Sequence, residues 1–585
     1  MSFLGRDPVY IDFKRVGGEL GVQIRFGYGI DGFDDLRSII YSNGGKWDDT
    51  LKRWTVKGEF AFYCIDLIQS LDQFDVYFSD YFKLFLRTEM RKMERNIQMS
   101  KATKPSKPME VPLPPGKKLF EFQKAVIEFF NARAGRILLA DDMGLGKTIS
   151  SIAIANYHKF KKILVICPDA AKDKVWNNEV LSWLVGGHTV HVVRNGKDWK
   201  DAGVVIINYD LLGKHEAAIL KHKFDYVIVD EAHNLKSTGT KRTESAKKIC
   251  GKVKNVAFLT GTPIMNRPIE LYSLMRILMG GAFGNKMSYT FRYCAGKLIE
   301  TDEDGTRRVV DSKREEKKEG EEDGKGKSKF YMDDRGHSNL NELNFKLRST
   351  CMIRREKHQV INEFPNIYRH VFQIQSEYSK EIDAKYKAEK SRYSEELSKL
   401  KASKNTFFDY RSYTLAVDEV KRYHFDQISL IRKELGVKKV RDIAKFVQEI
   451  LDRGTEKVVL FVHHRDVAEE LNRIFGKASV VLYGGMSPRQ KVKVIDAFET
   501  NDEVKVLIGS IVTSGVAFTL TVSHTVVFGE LDWTPSMVDQ CECRCARLGQ
   551  KHDVTVYYLI VNNSLDQNML AKIHRKGKMI KTVML

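Results

Sequence analysis

From residue 119 onward, short β-rich runs dominated by Val, Ile and Leu are separated by helical segments. Residues 136–140, 162–167, 204–208, 226–229 and 255–259 form one series of such runs. Residues 458–462, 479–483, 506–508, 525–528 and 554–560 form a second. Strands that are apolar at nearly every position have both faces covered. Alternation with helices therefore predicts two successive parallel sheets, an α/β fold with two tandem lobes. The first 75 residues read differently. Val22-Gln-Ile-Arg-Phe-Gly-Tyr28 alternates as a strand does, 33–41 has helical spacing, 46–57 reads as a turn and strand, and 60–71 as a closing helix. A small α+β N-terminal domain is expected there.

Punctuation and charge divide the chain further. A helix over 81–99 carries Arg87, Arg91 and Arg95 at four-residue intervals, and Pro105, Pro108, Pro112, Pro114 and Pro115 follow it. Closely spaced prolines remove backbone donors and favour an extended linker. In residues 301–330, 19 of 30 positions are charged, 10 acidic and 9 basic, which predicts a solvated insertion. Residues 375–435, rich in Lys, Glu and Tyr, read as a helical protrusion. The expected organisation is a small domain over 1–75, a basic helix and linker over 76–118, a first lobe over 119–299, the insertion over 300–340 and a second lobe over 341–585.

Composition narrows the function class. The 585 residues hold 96 Lys and Arg against 76 Asp and Glu, a net charge of +20. Residues 1–75 are net −3, so the surplus lies beyond them and favours a polyanionic partner such as nucleic acid. Apolar runs such as 163–167 are too short to span a bilayer, and Met1-Ser-Phe-Leu-Gly-Arg6 has no signal core. Eight cysteines without paired spacing point to reduced thiols. These features argue against a secreted or membrane protein. The expectation is a soluble intracellular protein, with nucleus and bacterial or viral-host cytoplasm left open.

Candidate chemistry starts at a phosphate loop. The apolar run 136–140 leads into Asp141-Asp-Met-Gly-Leu-Gly-Lys-Thr148 and then a helical stretch. Strand, glycine loop and helix in that order wrap backbone N–H groups around phosphate. Lys147 would reach the β- and γ-phosphates, and the Thr148 hydroxyl would ligate Mg²⁺. Asp230 and Glu231 end the run at 226–229, 83 residues beyond Lys147. A strand-end acid can hold Mg²⁺, and the next one can polarise the attacking water. Arg544 and Arg547, three apart, would share one face of a helix and suit transition-state phosphate charge. Cys541, Cys543 and Cys545 do not converge as metal ligands at that spacing.

Taken in order, these motifs resemble the Snf2 family of superfamily 2 ATPases over residues 119–578. Leu119-Phe-Glu-Phe-Gln123 is similar to the adenine-reading motif, and 141–148 to the family's phosphate loop, with Asp142 where Glu is usual. Leu164-Val-Ile-Cys-Pro168 followed by Trp176 resembles a DNA-contacting motif, and Leu259-Thr-Gly-Thr-Pro263 with Asn266 a coupling motif. Met352-Ile-Arg-Arg355 resembles the start of the second lobe, and 510–520 and 540–550 the last two helicase motifs. Ala517 and Ala546 depart from the family's usual Gly and His. The resemblance implies two RecA-like lobes with ATP and Mg²⁺ between them. It implies nucleotide contacts from Gln123, Met143, Gly144, Leu145, Gly146, Lys147, Thr148, Gly515 and Gln540, and catalysis by Lys147, Asp230, Glu231, Arg544 and Arg547. It also implies coupling through His233, Thr260, Gly261 and Thr262, and DNA contacts from Pro168, Trp176, His463, Thr513 and Ser514.

The implied function is ATP-driven movement on duplex or branched DNA without routine strand separation. Residues 20–71, Phe291-Arg-Tyr-Cys-Ala-Gly296 and Phe461-Val-His-His464 resemble HARP-type annealing helicases, which re-pair strands at forks. Trp47 and Trp54 then read either as core aromatics or as stacking partners for unpaired bases. A chain starting near Lys101 is expected to keep the ATPase and lose the annealing function. Strand-separating DNA or RNA helicases, motors that strip proteins from DNA, and a binding protein with a silent ATP site remain alternatives.

Overall fold

The computed structural model describes the chain apart from residues 1–6, 17–18, 28, 43–44, 58–63, 66–67, 70–73, 302–306, 311–328, 361–363, 404–409, 515–518 and 548. Two compact units result, one of Met1–Ser100 with Arg267–Met352, the other of Lys101–Asn266 with Ile353–Leu585.

The first unit opens with β1 (Asp7–Val16), β2 (Glu19–Arg25), β3 (Lys46–Asp48), β4 (Arg53–Lys57) and β5 (Phe74–Phe78). They form one sheet in the order β3-β4-β2-β1-β5, antiparallel except where β1 meets β5. Val9, Ile11, Val22, Ile24, Trp54 and Val56 point to one face and pack on Leu36 and Ile40 of the helix Phe33–Ser42. This is the period-two alternation of a sheet with one buried face. Trp54 is therefore a core residue, 5% exposed, and not a platform for bases. Trp47 packs on it at 5.3 Å and donates from Nε1 to Asp49. The expected helix over 60–71 lies largely outside the described residues.

The basic helix runs from Asp80 to Lys101, and its end is tied to the helix Leu340–Thr350. Asn96 donates to Ser349 O at 2.8 Å, and Arg348 to Ser100 Oγ at 3.1 Å. Removing everything before Lys101 would thus expose part of the helix Leu340–Thr350.

Six strands build the parallel part of the first, seven-stranded sheet: β6 (Arg136–Leu139), β7 (Ile163–Cys167), β8 (Val190–Val192), β9 (Val204–Asn208), β10 (Tyr226–Asp230) and β11 (Asn255–Leu259). Their order is β6-β11-β10-β7-β9-β8, every pairing parallel. The central strands are buried at nearly every position. The flanks of the charged insertion pair as β12 (Lys297–Thr301), β13 (Arg307–Val310) and β14 (Lys329–Asp333), an antiparallel sheet that charge counting did not anticipate. β15 (Met352–Ile353) follows, and Ile353 O accepts the N–H of Ala140 beyond the end of β6.

The second parallel sheet comprises β16 (Ile367–Ile374), β17 (Val458–Val462), β18 (Ser479–Leu482), β19 (Val506–Ser510), β20 (Thr525–Phe528) and β21 (Val554–Val561). The order is β16-β21-β20-β17-β19-β18, again all parallel. Two RecA-like lobes and a small N-terminal α+β region are therefore present. The protrusion is a pair of helices, Tyr378–Ala402 and Tyr410–Lys438. Among the described residues no helix is long and apolar enough to cross a membrane.

Candidate active site between the two parallel sheets

The carboxyl ends of β6, β10 and β11 converge, as ligand sites do in open parallel sheets. β6 hands the chain to a loop that closes on the helix Lys147–His158, with Gly146 in the left-handed region at φ 70°. The positive φ favours glycine there, and a Cβ at Gly146 would lie 2.8 Å from Gln123 Nε2, whose amide would have to shift. Leu145 is fully buried and anchors the loop; Met143, Gly144 and Thr148 are half-buried beside it. Lys147 Nζ donates to the carbonyls of Asp141 (2.8 Å) and Asp142 (3.2 Å). Burial lowers the Lys147 pKa, opposed chiefly by Glu231. A Cβ on Gly261 would meet Met143 Cγ at 2.6 Å and Lys147 Nζ at 3.2 Å, so that glycine lets β11's end approach the loop.

β10 ends in the two acids. Asp230 accepts from Trp176 Nε1 at 2.8 Å and from the Glu231 N–H at 2.9 Å. Burial, then the charge on Glu231, raises its carboxyl to about 6. Glu231 sits at φ 48°, a left-handed conformation costing a side-chain-bearing residue about 1–3 kcal/mol. Buried Tyr209 holds that turn, its hydroxyl donating to the carbonyls of Asp230 and Glu231. Burial pushes the Glu231 carboxyl up, but His233, Lys147 and Arg544 outweigh it and hold it near 2. His233 Nδ1 lies 3.3 Å from Glu231 Oε2 and 3.1 Å from Thr260 Oγ1, linking β10 to β11.

The second sheet supplies the opposite wall. Gln540 is buried, and its Nε2 donates to Thr262 Oγ1 at 3.4 Å. Arg547 lies along the phosphate loop, its Cγ 3.6 Å from where a Gly144 Cβ would be, and Nη1 donates to Thr519 at 2.8 Å. Burial, then Arg544, lowers Arg547 to about 10, and burial lowers Arg544 as well. The two arginines do not share a helical face. The helix Pro535–Glu542 stops short of them, and they follow in turns where Arg544 N–H bonds Cys541 O and Arg547 N–H bonds Cys545 O. Convergence comes from the turn geometry, not from the three-residue spacing.

The other expected contact residues differ in burial and partners. Trp176 has no exposed surface and cannot touch DNA; it sits in a stretch of π-helix, Lys172–Asn177, and aims its indole N–H at Asp230. Pro168 is half-buried at the end of β7. His463 is part-buried with Nδ1 3.5 Å from Asp532; burial, then Arg432, lowers it to about 4, so it is neutral at physiological pH. Thr513 and Ser514 belong to the short helix Ile511–Ser514, and Gly515 and Ala517 lie outside the described residues. Gln123 is 3% exposed, and its amide oxygen accepts the Phe120 N–H at the start of its helix.

The roles of Arg354, Arg355 and Lys357 were not legible in the sequence. Arg355 is fully buried and clasps the Asp141 carboxylate, with Nε 3.0 Å from Oδ1 and Nη2 on Oδ2. Its Nη1 donates to the carbonyls of Phe122 (2.6 Å) and Ala102 (3.1 Å). Arg354 joins the carbonyls of Ala140 (2.6 Å) and Gly261 (3.2 Å) to the Asp142 carboxylate (2.9 Å). Lys357 N–H reaches Asp142 at 3.3 Å, and its Nζ donates to the carbonyl of Ala546 at 3.0 Å. The Asp142 that stands where Glu is usual is thus the acceptor of a bridge between the phosphate loop and the end of β11. One buried polar atom in this cluster, Arg547 Nε, makes no hydrogen bond. Such an orphan is uncommon in folded proteins unless a ligand or water serves it, and an unpartnered guanidinium N–H fits a phosphate site.

Comparison with known proteins settles the family. A model of the SNF2-related domain matches residues 122–422, and one of the helicase conserved C-terminal domain matches residues 438–549. The chain belongs to the SNF2-related family. Among SNF2-related relatives, the Xenopus tropicalis SWI/SNF-related matrix-associated actin-dependent regulator of chromatin subfamily A-like protein 1 is 30% identical over 472 residues, 80% of this chain and 45% of that protein. The human DNA annealing helicase and endonuclease ZRANB3 is 29% identical over 475 residues, 79% of this chain and 40% of that protein. The chain spans less than half the length of either relative. A solved structure titled Sulfolobus solfataricus SWI2/SNF2 ATPase core in complex with dsDNA aligns with 82% of this chain and 94% of its own, at 21% identity and a TM-score of 0.36. An SNF2-related chain is expected to use a nucleotide, and the orphaned Arg547 Nε belongs to a side chain that lies beside the phosphate loop.

Proposed function

We propose that this SNF2-related chain is an ATP-driven translocase on double-stranded DNA that remodels forks or branched DNA and re-anneals strands. The observation that carries the reading is the two-sided site. Lys147, Asp230 and Glu231 come from the first lobe, while from the second Gln540 bonds Thr262, the Arg544 charge acts on Glu231, and Arg547 lies along the phosphate loop. The site is complete only with both lobes in place, so hydrolysis and lobe movement are linked.

When bound, ATP supplies the anhydride to be cleaved, and Mg²⁺ neutralises charge on the β- and γ-phosphates. Lys147 would leave its loop carbonyls for phosphate oxygens, a move within reach of a flexible ammonium. Thr148 and Asp230 would hold the metal, the Asp230 carboxylate being fixed by Trp176. Glu231, ionised and held by the turn, would orient the attacking water; with a pKa near 2 it accepts the proton only late in the reaction. Arg544 and Arg547 would stabilise the transferring phosphoryl group. His233 and Thr260, with Gly261 and Thr262, would relay the state of the γ-phosphate from β10 to Gln540.

The net charge of +20 supports a polyanionic track, and the names of the relatives support chromatin and DNA annealing contexts. ATPase assays on single-stranded, duplex and forked DNA and on RNA test the reading. Duplex and forked DNA should stimulate hydrolysis most, and stimulation by RNA alone would overturn it.

A further inference from the structure

The open face of the N-terminal sheet carries a row of flat groups. β1 pairs with β2 so that Tyr10 stands opposite Arg25, and with β5 so that Tyr10 stands opposite Tyr77. Because Val9, Ile11 and Ile24 face the core, these three side chains project to the other side. The Arg25 guanidinium lies over one face of Tyr10 at 5.2 Å, and Tyr77 stacks on the ring at 5.4 Å with 24° between planes. The result is a three-layer stack, Arg25–Tyr10–Tyr77, running outward to the edge strand of the sheet. Tyr10 is 45% and Tyr77 52% exposed, and among the described residues Tyr77 has no second ring or cation partner.

Directly after β5 the chain enters the helix Asp80–Lys101. Its start is fixed to the sheet, since Ser79 N–H bonds Ile11 O and Phe82 stacks on Phe78 at 5.5 Å. Arg87, Arg91 and Arg95 are exposed along one side of this helix. Among the described residues none of the three forms an ion pair, whereas Lys83 and Lys92 on the same helix are paired with Asp80 and Glu89. At 1.5 Å rise per residue, about 6 Å separates successive arginines, close to the spacing of phosphates along an unpaired strand. An aromatic surface that ends a stack, with a cationic rail springing from the same strand, matches a nucleotide: base for the ring, phosphate for the rail.

We propose that Tyr77 takes an unpaired DNA base as the next layer of the Arg25–Tyr10–Tyr77 stack, with Arg87, Arg91 and Arg95 holding the adjoining phosphates. This places branch recognition on the sheet's open face, away from buried Trp54, and explains how a net-acidic domain can bind DNA: through ring faces and a local rail instead of overall charge. It rests on the branched-DNA reading given above. A cross-strand aromatic pair can also serve the sheet alone, and the test separates the two roles.

The full chain and its Tyr77→Val, Tyr77→Phe and Arg87→Gln/Arg91→Gln/Arg95→Gln variants are titrated with two probes. One is a forked duplex with 2-aminopurine in an unpaired arm, the other a blunt duplex. Tyr77→Val should bind the fork about tenfold more weakly and lose the 2-aminopurine signal, while Tyr77→Phe keeps both. Blunt-duplex affinity and duplex-stimulated ATPase should be unchanged in both tyrosine variants. The triple glutamine variant should flatten the salt dependence of fork binding. Unchanged fork affinity in Tyr77→Val, or equal loss on fork and blunt duplex, would overturn the assignment. Absence of duplex stimulation in the parent chain would instead refute the translocase reading.

Discussion

Replacing Trp176 by Phe isolates one hydrogen bond in the candidate active site. The indole N–H reaches Asp230 Oδ2 at 2.8 Å from a side chain with no exposed surface, so the change is invisible to any macromolecular partner. Phenylalanine fills most of the same apolar space but offers no donor. Hydrogen bonds to charged groups contribute about 1.5–3 kcal/mol, which corresponds to roughly 10- to 150-fold in a property that needs Asp230 ionised and in place. Asp230 is already raised to about 6 by burial and by Glu231, and loss of the donor raises it further. The concentration of Mg²⁺ for half-maximal ATPase should therefore rise on the order of tenfold, with nucleotide affinity in EDTA unchanged. Thermal denaturation run alongside reports the packing loss separately. Unchanged Mg²⁺ dependence combined with weakened DNA binding would refute the reasoning and restore Trp176 as a DNA contact.

Other predictions address the remaining parts. Lys147→Ala should abolish hydrolysis and weaken ATP binding, whereas Glu231→Gln should keep binding and slow turnover by about 10²–10⁴, measured by single-turnover hydrolysis. Because Asp230 sits near 6, protons compete with the metal below that pH; the half-saturating Mg²⁺ should climb toward tenfold per unit as pH falls below 6 and level off above it. Arg355→Met leaves the Asp141 carboxylate buried without its partner, which should cost about 3–5 kcal/mol in denaturant unfolding; a loss under 1 kcal/mol would show that the clasp is not structural.

The two parallel sheets were legible because a strand covered on both faces is apolar at nearly every position, and each of the ten runs read this way lies in a strand with at most one residue outside it. The candidate catalytic acids were legible for the same reason, since they stand where such a run ends, and the loop lysine because it follows one after a glycine loop. β16 was not, because its edge position leaves it mostly exposed and breaks the pattern. The antiparallel strands flanking the charged insertion escaped notice because their charge masks any alternation. Arg354 and Arg355 were visible as residues but not as a clasp on the phosphate loop, since their partners lie more than 200 positions away. Trp176 misled because exposure cannot be read from one aromatic in a polar stretch. Trp47 and Trp54 drew attention as aromatics, yet the exposed pair is Tyr10 and Tyr77, whose opposition exists only once β1 and β5 pair in parallel.

Triplex displacement tests the central claim most directly. A third strand bound at one end of a blunt duplex is released only by a motor that travels along intact double helix. With ATP, the chain should displace it without separating the duplex strands, and Glu231→Gln should bind the duplex yet leave the triplex in place. Displacement that persists in Glu231→Gln, or release of the third strand only together with unwinding of the duplex, would contradict the account.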